Sequence, residues 1–271
     1  MQTEKNSTTY VIGRCDGLVP QLRELTKWLA KDASDRSAEA RVVFLGGVVY
    51  GPRTKAVVDE VQRVLKVFPG STIISGGRER GLLDFLEGGL NRAPTMWWMA
   101  HGGGRAVVDS FGVDATVRGS REIRRIVARK SPALLPMLRA GKVYEIDGDF
   151  CITQGWSFPP LPRVDEEEID LTGWNVDEIN AWHKAMNKIV VYERAPTNDC
   201  YPEVGDTDIT LGGFPDQTGR VHLLAIDNGE ASRFVFASRA DKYAAVSVAV
   251  RPAEMFRRAP LEDPAVIRSR N

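Results

Sequence analysis

Val11-Ile12-Gly13-Arg14-Cys15-Asp16-Gly17 sets two apolar residues ahead of a polar loop bounded by glycines. The same form returns in Phe44-Leu45-Gly46-Gly47-Val48-Val49-Tyr50-Gly51-Pro52 and again in Ser75-Gly76-Gly77-Arg78-Glu79. The apolar run before each loop predicts a short buried strand: Thr8 to Gly13, Val42 to Gly46 and Ile73 to Ser75. Between them, Pro20 to Lys31 and Thr54 to Phe68 carry apolar residues at helical spacing. Strand, glycine loop and helix therefore form a repeating unit, which points to a layered α/β protein. In such folds the loops at the carboxyl ends of the strands gather in one crevice, so residues 13–17, 46–53 and 76–79 are expected to lie together.

Downstream, helices are predicted over 79–87, 94–109, 119–129 and 132–140. Lys142 to Ile146 and Asp149 to Thr153 read as a strand pair turning at Asp147-Gly148. Ser157-Phe158-Pro159-Pro160-Leu161-Pro162 and the acidic run Asp165-Glu166-Glu167-Glu168 read as a surface loop. The second half is richer in strands, at Lys188 to Tyr192, Val221 to Ile226, Phe234 to Ala237 and Ala244 to Val250. From Arg251 the pattern dissolves, so residues 1–250 are expected to form one domain and 251–271 a charged, Pro-containing tail.

The 271 residues suffice for one large core, and 43% hydrophobic with 27% charged content is that of a soluble globule. Thirty-six basic residues balance 36 acidic ones. A balance of that kind excludes a general polyanion-binding protein and gives no clear nucleic-acid or membrane signal. Cys15, Cys151 and Cys200 have neither a disulfide framework nor a metal-type spacing. With no apolar signal core at residues 1–6 and no long apolar run, the cytoplasm is the expected location.

The glycine loops, together with Val190-Val191-Tyr192-Glu193-Arg194-Ala195-Pro196, resemble the motifs of the calcineurin-like metallophosphoesterases, in their bacterial serine/threonine phosphatase and dinucleoside tetraphosphatase branch. That branch carries G-D-x-H-G, G-D-x-V-D-R-G-P, G-N-H-E and G-H-T-P at comparable spacing. Gly81-Leu82-Leu83-Asp84-Phe85-Leu86, Trp98-Met99-Ala100-His101-Gly102-Gly103, Asp109-Ser110-Phe111-Gly112-Val113 and Ala225-Ile226-Asp227-Asn228-Gly229 extend the resemblance over residues 8 to 250. The implied fold is a four-layer sandwich of two mixed β-sheets flanked by helices.

What the resemblance implies for chemistry is loss. The Asp and His metal ligands of the first motif fall on Arg14 and Asp16, and the metal-bridging Asp of the second falls on Gly47. The ligand Asn of the third falls on Gly77 and its proton-donating His on Arg78, a group that cannot give up a proton near neutral pH. A mid-chain ligand His falls on Thr153, and the last on Arg194. Only Asp16 could still coordinate a cation. The second motif is also one residue short, which leaves Arg53 at a different offset from the family's Asp-Arg pair. No catalytic residue, metal or cofactor is expected.

Arg14, Arg78 and Arg194 would converge on the vacated crevice. Three guanidiniums beside Gly-rich loops could hold phosphate or another anion. Alternatively they replace the lost metal charge and pair with Asp16, Glu79, Glu193 or Asp227, because unpaired buried cations are costly. Cys15 lacks the C-x5-R arrangement of a thiolate phosphatase, the position six residues on being Gln21, and reads as a small buried thiol. His101, His183 and His222 are scattered. Gly102-Gly103-Gly104-Arg105 lacks the Lys-Ser/Thr and preceding strand of a P-loop and reads as a turn. Trp97 and Trp98 read as core or interface aromatics, and Trp156 beside Phe158-Pro159-Pro160 as a protein-contact loop or a packed one. The leading expectation is a catalytically inactive pseudophosphatase serving as a binding, regulatory or structural subunit with a protein partner. The alternatives are a phosphoesterase with an altered metal site, and a non-catalytic module that binds phosphate or nucleotide.

Overall fold

β1 (Ser7–Ile12) is the hub of the chain, because its two faces serve two cores. Successive strand residues point to opposite sides. Tyr10 and Ile12 accordingly enter a core shared with the helices, while Val11 enters a second core shared with another sheet.

The structure is a computed structural model. It describes residues 7–88, 98–101, 103–116, 118–154, 187–193, 202–205, 207–212, 215–238 and 245–249. After β1 come α1 (Val19–Arg36), β2 (Glu39–Phe44), a 3-10 turn at Gly51–Arg53, α2 (Thr54–Val67), β3 (Thr72–Ile73) and α3 (Gly77–Glu87). Then follow α4 (Gly104–Ser110), α5 (Ser120–Lys130), α6 (Leu134–Arg139), β4 (Tyr144–Asp147), β5 (Phe150–Thr153) and β6 (Ile189–Tyr192). The remainder is β7 (Glu203–Val204), β8 (Asp208–Thr210), α7 (Pro215–Thr218), β9 (Arg220–Asp227), β10 (Glu230–Ser238) and β11 (Ala245–Ala249).

The strands form two mixed sheets, a six-stranded one in the order β11-β10-β9-β1-β2-β3 and a five-stranded one in the order β4-β5-β6-β8-β7. In the first, β1, β2 and β3 run parallel and β9 pairs antiparallel with β1. In the second, β5, β6 and β8 are parallel, with β4 and β7 antiparallel at the edges. Leu22, Leu25 and Leu29 of α1 and Val57, Val61 and Val64 of α2 cover one face of the first sheet at helical spacing. Its other face, through Val43, Leu45, Leu224, Ile226 and Phe234, meets Phe150, Ile152, Val191 and Ile209 of the second sheet. Cys151, Val190 and Tyr192 are buried on the far side of that sheet. The result is two mixed sheets flanked by helices, the α/β sandwich implied by the resemblance.

Several boundaries differ from the sequence reading. α1 runs to Arg36 rather than Lys31, because its polar last turns are held by Lys31–Asp35 and Arg36–Asp32 pairs and end on left-handed Ser37. The single helix expected over 94–109 is broken: 89–97 and Gly102 lie outside the described residues, and Gly103, at φ 76°, caps a new helix at Gly104. The glycine run is thus a turn, packed against Trp98 so closely that a Cβ on Gly104 would lie 2.4 Å from the indole. β7 and β8 were not anticipated; they are too short to show a period. The aromatic-Pro loop, the acid run, Trp97, Trp156, His183, Cys200 and the 251–271 tail lie outside the described residues.

Candidate functional site

The three glycine loops do meet. β9, β1, β2 and β3 are consecutive in the sheet, and backbone bonds continue the pairing past the strand ends. Gly13 N–H donates to the His222 carbonyl (2.9 Å), Leu45 N–H to Ile12 (2.8 Å) and Ile74 N–H to Phe44 (2.7 Å). Asp16 N–H then donates to the Gly47 carbonyl at 3.0 Å and ties the first loop to the second.

Glu79, in the first turn of α3, ties the third loop to the second. Its carboxylate accepts from Val48 N–H and Val49 N–H at 3.0 Å each and from Gly76 N–H at 3.1 Å. A carboxylate at a helix start is favoured by the helix dipole and the free amides there. Glu79 is therefore a bracket for the loops, and its charge adds to those of Asp16 and Glu193 in holding the Arg14 pKa up.

Asp16 lies at the centre, its side chain without solvent exposure. The Arg14 guanidinium donates to its Oδ1 through Nε (3.3 Å) and Nη2 (3.1 Å), and Nη2 stands 2.9 Å from Oδ2. Arg78 approaches the same carboxylate at 3.7 Å while its guanidinium stacks 4.1 Å over the Tyr50 ring. Arg14 and Arg78 thus share one acid, as expected, but they differ in setting: the Arg14 side chain is 11% exposed, that of Arg78 44%. Arg194, the third of the trio, lies outside the described residues.

Glu193 closes the site from beneath. Its Oε1 accepts the Arg14 backbone N–H at 2.7 Å, and its Oε2 lies 3.9 Å from Arg14 Nε. Burial pushes the Glu193 carboxyl up to about 8, with Arg14 pulling the other way and Asp16 adding to the rise. Arg14 responds in kind. Burial would lower its pKa, but Asp16 and then Glu193 hold it above the ordinary range. Cys15 is fully buried, and its thiol is pushed well up by burial and by the carboxylates of Asp16, Glu193 and Glu79 against Arg14. A thiol so placed is no nucleophile.

Gly47 shows how closely the loops pack. Its φ is +61°, and a Cβ there would lie 2.7 Å from Arg14 Cβ, 2.9 Å from Asp16 Oδ1 and 2.9 Å from the Cys15 nitrogen. A side chain at 47 has no space against this backbone, since two of the three contacts are to the Cβ of residue 14 and the backbone of Cys15. Gly77, by contrast, is exposed with open space around it.

Two expected placements need correction. From β5 it is Gln154, not Thr153, that reaches the loops: its amide donates to the Leu45 carbonyl at 2.9 Å and is wedged where Cβ atoms on Gly46 or Gly76 would be. Thr153 turns its hydroxyl toward the Val143 carbonyl at 3.4 Å, as alternation along the strand requires. Asp227 is at the other end of the sheet, opposite Thr8, where it pairs with Arg36 (3.1 Å) and Arg233 (3.2 Å).

The arrangement does not fit the two-metal centre of the fold family. Asp16 is held by a guanidinium, Gly47 cannot accept a side chain, and among the described residues no three His, Cys, Asp or Glu side chains are grouped to hold a metal ion.

No protein-family profile matches the chain, and no curated protein matches it. Solved structures similar to it include a hypothetical protein of Pyrococcus horikoshii OT3, at 12% identity and TM-score 0.47 over 97% of this chain and 92% of that one. A metallophosphoesterase from Sphaerobacter thermophilus is similar at 14% identity and TM-score 0.44, over 90% and 88%. A cold-active protein-tyrosine phosphatase of a Shewanella species follows at 12% and 0.42, over 90% and 80%. Likeness of this degree decides nothing about activity, and the fold stands on the topology described above.

Sequence reasoning missed Gln154 because the family frame drew the eye to the position beside it. The signal was present: Gly46 and Gly76 both lack a side chain, which asks what fills the space between them. Glu193 was named only as one possible partner among several.

Proposed function

We propose that the chain is a catalytically inactive relative of the metallophosphoesterases, acting as a binding, regulatory or structural subunit. One observation carries the reading: the Arg14 guanidinium lies on the Asp16 carboxylate where the family places its first ligands, with the Gly47 backbone closed against both. A guanidinium supplies positive charge and forked donors, but it neither polarises water to hydroxide nor shuttles protons at neutral pH. Arg78, at the position of the leaving-group acid, fails for the same reason.

The test is elemental analysis of the purified protein together with turnover of an aryl phosphate, with and without added manganese. Absence of stoichiometric transition metal and rates at background are expected. Manganese-dependent turnover that Arg78→Ala abolishes would overturn the proposal.

A second reading, a non-catalytic phosphate or nucleotide module, is favoured by Arg78 alone, which is partly exposed beside the open Gly77. Phosphate or nucleotides should then raise the melting temperature of the wild type but not of Arg78→Ala.

A further inference from the structure

α5 reads Ser120-Arg121-Glu122-Ile123-Arg124-Arg125-Ile126-Val127-Ala128-Arg129-Lys130, five basic residues to one acidic. Its apolar side is occupied, since Ile123 and Val127 are buried in the helical core. Arg124 is occupied too, its guanidinium reaching the Phe85 carbonyl at 3.4 Å at the end of α3. Arg118 pairs with Glu122, and Lys130 donates to the Gly112 carbonyl at 3.2 Å.

Arg121, Arg125 and Arg129 are different. They are exposed, and none makes a hydrogen bond or an ion pair with another described residue. Their spacing of four residues places them in one file, roughly 6 Å apart along the axis. The protein as a whole has no net charge, so this file is a local concentration and not a share of a general excess.

We propose that this face of α5 is a docking surface for an acidic helix of a partner protein, one carrying Glu or Asp at the same four-residue spacing. The argument is charge complementarity with matched geometry. A second helix repeats with the same rise, so its carboxylates fall opposite the three guanidiniums in register, and each guanidinium can engage a carboxylate with two parallel N–H bonds. Arginine is also a side chain over-represented where interfaces concentrate their affinity. A nucleic-acid groove is the poorer fit. Single strands are held by basic walls interleaved with aromatic platforms, and the exposed large hydrophobic residues among those described are Val67 and Ile146, neither of them aromatic. A membrane surface is poorer still, because the apolar side of α5 already faces the core.

The full-length protein is titrated against a fluorescein-labelled helical peptide with Glu at positions i, i+4 and i+8, and against the same peptide with Lys there. Oligo-uridine RNA is the third probe, and binding is read by anisotropy. The wild type should bind the Glu peptide, more weakly as salt is raised, and not the Lys peptide. Arg125→Gln should weaken binding by up to about fivefold, the range for one exposed ion pair. The triple charge reversal Arg121→Glu, Arg125→Glu, Arg129→Glu should lose the Glu peptide and gain the Lys peptide. Its melting temperature should stay near that of the wild type, since these side chains have no partners to lose among the described residues. Failure of the wild type to bind the Glu peptide, unchanged binding by the triple variant, or tighter binding of oligo-uridine than of the Glu peptide would each overturn the proposal.

Discussion

Replacing Asp16 by Asn tests the site at its centre. Asn keeps the shape of the side chain and tolerates the left-handed backbone, φ 35°, that the residue adopts, so the change isolates the charge. In the wild type the fully buried carboxylate receives two hydrogen bonds from Arg14, at 3.3 and 3.1 Å, within an ion pair at 2.9 Å. Taking one partner from a buried pair costs about 3–5 kcal/mol, mostly as the penalty of leaving the other charge uncompensated. Two features pull the value toward the lower end. Without the Asp16 charge, which helps to raise the Glu193 carboxyl, Glu193 ionises more readily against Arg14 at 3.9 Å, and the Arg14 side chain retains 11% exposure. Arg78, at 3.7 Å and 44% exposed, adds less than about 1 kcal/mol. The expected loss is therefore about 3 kcal/mol, a fall of roughly 6–10 °C in melting temperature for a chain of this size. Urea titration of both proteins, followed by circular dichroism, gives the difference directly. Adding Arg14→Met to Asp16→Asn should return at least about 1 kcal/mol, because the second change removes the stranded cation. An Asp16→Asn protein within about 0.5 kcal/mol of wild type, the scatter of an ordinary surface change, would refute the claim that this pair is a buried one.

Three further outcomes are expected. Gly47→Asp should lower stability by at least about 2 kcal/mol without creating a metal site, since the new Cβ meets Arg14, Asp16 and Cys15 within 3 Å at a positive φ; calorimetry and elemental analysis read both parts. Gln154→Ala should cost about 2 kcal/mol in urea titration, by opening the space between Gly46 and Gly76 and stranding the Leu45 carbonyl. The pH dependence follows from two buried groups: Glu193, raised from 4.5 to about 8, keeps a proton that the unfolded chain has released, whereas His222, lowered from 6.5 to about 3, lacks one that the unfolded chain holds. The two slopes oppose each other between 4.5 and 6.5, stability falls from 6.5 to 8 through Glu193 alone, and melting curves of Glu193→Gln should lack that fall.

The fold was legible where local signals agreed. Three apolar strands, each opening into glycines, and two amphipathic helices specify the parallel half of the first sheet, and the β4–β5 hairpin announced itself through Asp147-Gly148. What was hidden depended on side-chain direction or on very short elements. β7 has two residues and β8 three, too few for a period to register. Thr153 and Gln154 are neighbours in sequence yet point to opposite sides of their sheet, so a motif alignment off by one position chooses the wrong residue. Asp227 has the same origin: β9 runs antiparallel to β1, which carries its last residue away from the loops, and no local pattern reveals the direction of a strand.

The residues of the crevice depend on one another sterically and electrically. A side chain at 47, where φ is 61°, would press on the Arg14 Cβ, the Asp16 carboxylate and the Cys15 backbone, so this loop packing requires glycine there. Gln154 fills the space between Gly46 and Gly76 with a neutral amide that returns a hydrogen bond to Leu45. Glu79 takes three loop amides that would otherwise be open to an incoming oxyanion. Each of these groups satisfies a neighbour, so replacing any one of them leaves a clash, an unpaired charge or an orphaned polar group. Such coupling is what a tightly packed interior imposes.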